Sequence, residues 1–177
     1  MGVQISITED QLVEDLATFF KALVDCEVIR GQPDLVPTPA QECIVITPLA
    51  ALGLSLPTMT YADPSSATGT LTITQATQWT AQVDSYGERA QDLALTLSIA
   101  LRSQYGCEFL GQLERARPLS AGEIEHLPYD SGENPNSERW SFDAVLQFNP
   151  SITVPQQFAD QLHVGLIEVD TTYPPGA

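Results

Sequence analysis

Residues 79–103, "WTAQVDSYGERAQDLALTLSIALRS", confine the fold more tightly than any other stretch of this chain. Apolar residues alternate with polar ones up to Val83, the period of a half-buried strand, and then recur at helical spacing from Leu93 onward. Gly87 alone separates the two periods. A strand that runs through one glycine into an apolar helix forces a layered structure, because each element has a face that must be covered by the other.

The same order of elements is common in phosphate-binding enzymes, but the residues here argue against that use. A phosphate cradle needs several backbone N–H groups freed by successive glycines, usually with a lysine nearby. Gly87 stands by itself, and Asp84 and Glu88 would place negative charge where an anion would sit. Ser85 and Glu88 have the S-x-x-E spacing of a capping box, so a structural turn built from Asp84, Ser85, Gly87 and Glu88 is expected. Gly87 then either relaxes the turn or admits a close backbone neighbour.

Upstream, "TEDQLVEDLATFFKALV" carries Leu12, Leu16, Phe19, Phe20 and Leu23 at helical spacing, with Thr8 and Gln11 as a second capping box. Glu9, Asp10, Glu14 and Asp15 are expected on its solvated face. A proline-rich connection over residues 31–41 leads into "ECIVITPL", expected as a strand buried on both faces and ended by Pro48. "GLSLPTMTYADPSSATG" reads as a loop. Residues 70–86 alternate for too long to be one flat strand, so a bend, bulge or hairpin is expected near residues 75–78.

The helix is expected from about residue 88 to 105. Its buried stripe is Leu93, Ala94, Leu97 and Leu101, and Leu95 and Ile99 form a second stripe that another helix or another subunit should cover. Residues 118–138 hold five acids and no Lys or Arg, and read as a long acidic loop. Ile124, Leu127, Pro128 and Tyr129 in its middle are candidate interface anchors. "RWSFDAVLQF" is an amphipathic strand, "HVGLIEVDTTY" the last strand, and residues 171–177 a short tail. The expected fold is α+β: one domain over residues 1–177, a two-layer sandwich of a mostly antiparallel sheet with two helices packed on one face.

Charge narrows the function. Among 177 residues, 23 are Asp or Glu and 7 are Lys or Arg, a formal net charge of −16. Such a surface repels nucleic acid and anionic lipid, whose binding depends on Lys and Arg neutralising phosphates. No apolar run of 18 residues suggests a membrane span, and the N-terminus lacks the pattern of a secretory signal, so assembly in a cytoplasm is expected. Cys26, Cys43 and Cys107 are odd in number and widely spaced, which predicts free, buried thiols and neither a disulfide framework nor a metal site. His126 and His163 lack metal-ligand spacing, and the chain presents no convergent acid, base and nucleophile set. No catalytic residue, cofactor or metal is expected.

Several blocks together resemble one family. "VIRGQ", "VPTP", "CIVITPL", "QVDSYGERAQDLA", "ERWSFDAVLQFNPSITVPQQFADQL" and "GLIEVD" follow the order seen in the phage neck terminator family, the tail-completion proteins of tailed phages and prophages. The most specific are the V-D-x-Y-G turn at residues 83–87 and the R-W…L-Q-F-N-P strand at residues 139–150. The resemblance implies a tail-terminator-like fold and a structural virion protein of the neck. It implies a homo-hexamer ring that ends the tail tube, docks to head connector or stopper proteins, and passes DNA through its lumen without specific binding. Two other readings stand beside it: another head–tail joining or minor tail component, and a small acidic prophage-encoded binding module or hydrolase.

Overall fold

The computed structural model describes residues 2–31, 42–63, 68–127 and 138–156. The expected connection at residues 31–41 (apart from Gly31), the strand "HVGLIEVDTTY", the C-terminal tail, His163, Pro128 and Tyr129 lie outside the described residues.

Helix α1 (Glu9–Lys21) starts at the expected capping box: Gln11 N–H donates to Thr8 Oγ1, and Thr8 N–H donates to Gln11 Oε1 at 2.9 Å. Its stripe of Leu12, Leu16, Phe19 and Phe20 is buried. The expected solvated face needs correction at Asp15, which is also buried and receives Arg115 Nε and Nη2 at 2.9 and 2.6 Å. Burying a carboxylate is costly unless it is paired and hydrogen-bonded, and the bidentate guanidinium does both.

The main sheet runs β1 (Glu27–Arg30), β2 (Cys43–Gly53), β5 (Thr77–Tyr86), β8 (Arg139–Phe148), β6 (Ala116–Ala121), with β7 (Glu125–Leu127) also on β8. Among the described strands of this sheet only β1–β2 is parallel. One face carries Ile44, Ile46, Trp79, Ala81, Val83, Phe142, Ala144 and Leu146 into a core shared with α1, α2 (Ala90–Leu101) and α3 (Gln104–Gln112). The opposite face holds a smaller cluster of Cys43, Val45 and Tyr86.

The α+β class and the mostly antiparallel sheet are as expected, with three helices among the described residues where two were read. The predicted long helix divides because Ser103 caps a new one: its Oγ accepts from Gly106 N–H at 3.3 Å. A Cβ on Gly106 would stand 2.6 Å from the Ala100 carbonyl oxygen, so glycine is what lets α3 turn tightly against the end of α2.

Three strand readings also change. β2 continues past Pro48 through an irregularity between Pro48 and Ala50, buried in its first half and exposed in its second. Proline tolerates this because a bulge releases it from donating a ladder bond. Residues 75–76 break the alternating stretch as expected, into β4 (Gly69–Thr74) and β5, which belong to different sheets. The stretch read as a loop contains β3 (Thr58–Ala62), which pairs with β4, and β4 pairs with β9 (Ser151–Gln156). This second, three-stranded sheet joins the main one through Leu54 N–H to Ala76 O at 2.8 Å and Gln75 N–H to Pro150 O at 3.1 Å.

Candidate functional site

The turn at the end of β5 is built differently from the capping box that its spacing suggests. Ser85 is still in the strand and α2 begins at Ala90, with Arg89 as its N-cap and no side-chain cap. The Ser85 side chain faces the core, and its buried Oγ has no hydrogen-bond partner. Glu88 is exposed. Tertiary burial has overridden the local capping preference.

Gly87 fulfils both alternatives set for it. Its φ is 109°, and an added Cβ would stand 2.5 Å from Glu42 Cγ and 3.1 Å from Glu42 Cα. Glu42 uses that approach to reach Arg89, which donates from Nε at 3.0 Å and Nη2 at 2.5 Å. The hydrogen bond from Arg89 holds the Glu42 carboxyl below the usual carboxylate range.

Asp84, expected as part of the turn and as a charge that would repel an anion, is buried beside a cation. Arg139 donates to its Oδ1 from Nε at 3.1 Å, and Gln82 Nε2 donates to both oxygens at 3.0 and 3.2 Å. Asp84 and Arg139 thus form a cross-strand ion pair. The turn is a scaffold of ion pairs and close backbone packing.

The segment at residues 118–138 is not one long loop, since its first part forms the end of β6 and all of β7. Ile124 packs against the main core and Leu127 is half-buried opposite Arg139. Neither is a bare anchor. A depression of about 240 Å³ lies beside this segment, with Gln82, Leu127 and Ser141 in its lining and Glu123, Glu125 and Asp143 as its charged residues. The lining brings together three acids and holds no Lys, Arg, His or Cys. No group of three His, Cys, Asp or Glu among the described residues is arranged to hold a metal. His126 lies against Trp140 in a tilted ring contact, with centroids 5.1 Å apart.

The cysteines are free, but only Cys43 is fully buried; Cys26 is half-buried and Cys107 exposed, which corrects the expectation of three buried thiols. Burial pushes the Cys43 thiol up to about 11, and burial followed by the charge of Glu42 raises Cys26. Neither has the electropositive setting that makes a nucleophilic thiolate.

What the fold leaves conspicuously open is apolar surface. The registers of β3, β4 and β9 place Met59 beside Ile73, Tyr61 beside Leu71, Leu71 beside Val154 and Ile73 beside Ile152, so these six share one face of the small sheet. The other face carries Thr58, Thr60, Thr72, Thr74 and Thr153. None of the six is buried, and Met59 and Tyr61 are 58% and 57% exposed. The sequence signal was present in the alternation of "TMTYA" with "TLTIT", masked by the prolines on either side of the first. On α2, the second stripe keeps Leu95 and Ile99 exposed, at 41% and 67%.

A sequence profile of the family described as "Phage neck terminator protein" matches residues 10–173. No curated protein sequence matches the chain. Among solved structures, the chain is similar to the sheath/tube terminator of an extracellular contractile injection system, the PVC, determined by cryo-EM in its extended state. The likeness has a TM-score of 0.53 at 10% identity, over 99% of this chain and 67% of that one. At that identity the likeness concerns the fold, which is that of a tail terminator. No described helix is long and apolar enough to cross a membrane.

Proposed function

The chain belongs to the phage neck terminator family, and from that premise we propose that it forms a homo-hexamer ring at the head-proximal end of a phage tail. There it terminates the tail tube and joins it to the head connector or stopper. The observation that carries this reading is the family match over residues 10–173, nearly the whole chain.

Charge supports the reading. Six copies at −16 each would carry −96, so a DNA molecule passing through the ring would meet no basic track on which to release counterions and stick. The five arginines of the described ion pairs and contacts (Arg30, Arg89, Arg115, Arg117 and Arg139) are engaged by this chain's own oxygens. The role is structural rather than enzymatic, assembled in the host cytoplasm and retained in the virion.

Light scattering of the purified protein, followed by electron-microscopic class averages, tests the ring. Six times the mass of one chain and sixfold averages are expected. A strictly monomeric protein at assembly concentrations, with or without tail tubes, would overturn the reading.

A further inference from the structure

A small sheet with an apolar face becomes stable when that face is covered. The Met59, Tyr61, Leu71, Ile73, Ile152 and Val154 face is not buried in the single chain. Its surroundings are unusual for so acidic a protein. From Cys43 to Val83 the sequence has one ionisable Asp, Glu, Lys, Arg or His side chain, Asp63, and from Ala144 to Gln156 it has none. Twenty-two of the 23 acids thus fall outside the two stretches of sequence that build this sheet and its surroundings. Contiguous apolar surface without charge marks an interaction site.

The occupant follows from the ring reading, on which this inference rests. A closed ring of more than two copies is made by a heterologous contact, in which two different patches of one chain meet. The described residues offer a second apolar patch of another shape: the Leu95 and Ile99 stripe of α2. It is flanked on its own helix turn by Asp92 and on the next by Arg102, one acid and one base, so it too adds no net charge. Two copies that each carry −16 repel each other through most of their surfaces, and these are the places where they meet without bringing acids together. We propose that the apolar face of the β3–β4–β9 sheet receives the Leu95–Ile99 stripe of α2 from a second copy of this chain.

Two variants at exposed positions test the pairing, Met59→Glu on the sheet and Ile99→Glu on the helix, each checked for an unchanged circular dichroism spectrum. Each alone should have the mass of one chain by light scattering. Mixed in equal amounts they should form a heterodimer and nothing larger, because the mixture retains one intact sheet face and one intact helix stripe. Should Met59→Glu fail to fold, Met59→Gln, which keeps the length and the neutral charge, should still raise the concentration for half-assembly at least tenfold, and Leu95→Asp repeats the test from the helix. A wild-type ring that either glutamate variant leaves intact overturns the pairing while leaving the ring reading standing. A mixture that stays monomeric shows that the two patches do not meet each other. A monomeric wild type overturns both.

Discussion

Arg139 lies directly across the sheet from Tyr86 and diagonally from Asp84, and it engages both. Its Nε and Nη2 donate to Asp84 Oδ1 at 3.1 and 3.0 Å, while its Cζ stands 5.8 Å from the Tyr86 ring centroid. The carboxylate is almost completely enclosed. Breaking a buried pair from one side leaves an uncompensated charge, which is worse than removing both partners. Arg139→Met should therefore destabilise the protein by roughly 2 to 4 kcal/mol in urea unfolding, and the double variant Asp84→Asn/Arg139→Met by less than the sum of the single changes. Additive effects would mean that the two side chains do not act as a pair.

Gly87 should resist every side chain. Its φ of 109° is unfavourable for an L residue, and Glu42 Cα stands 3.1 Å from where a Cβ would be. Gly87→Val should cost on the order of 1 to 3 kcal/mol, which corresponds to roughly 2 to 4 °C of Tm for each kcal/mol in a chain of this size. An unchanged Tm would show that the turn relaxes freely.

The parts of this fold that could be read from sequence are those where one signal dominates. Thr8 and Gln11 cap α1 as their spacing predicts, because nothing tertiary competes for them. The same spacing at Ser85 and Glu88 misleads, since Ser85 lies in a central strand whose core side takes the side chain. The buried and exposed stripes of α2 were legible, but not the break after Leu101, which depends on Ser103 and Gly106 acting together. The apolar sheet face was hidden because the prolines flanking β3 mask its alternation, and because β9, the other partner of β4, lies far along the chain. Arg139 as the partner of Asp84 was hidden for the same reason: register, not proximity in sequence, brings them together.

The thiols should separate by reactivity. Alkylation of the native protein near neutral pH should modify Cys107 first and Cys43 last, while all three should react after unfolding without reductant. Cys43 also sets a pH dependence. Its folded value of about 11 lies above the ordinary value of 9.0, so both states hold the proton below pH 9 and its contribution is then complete. As pH rises from 9 towards 11 the unfolded chain loses that proton first, and stability falls. The decline between those values should be shallower in Cys43→Ala than in the parent protein; identical slopes would show that the buried thiol is not its source.

Duplex DNA should not bind at physiological salt, although the proposed ring surrounds a DNA path. Seven basic residues, most of them engaged by the chain itself, give no continuous track for phosphates. A gel shift at micromolar protein in that salt would contradict the lumen argument.

The central claim is that this protein ends a tail tube. The most direct measurement mixes gold-labelled protein with tail tubes assembled from the same phage's tube protein and locates the label by electron microscopy. Label confined to one end of each tube, with tubes so capped no longer lengthening when more tube protein is added, is the predicted result. Label spread along the tube wall, or tubes that keep growing beyond the labelled end, would contradict it.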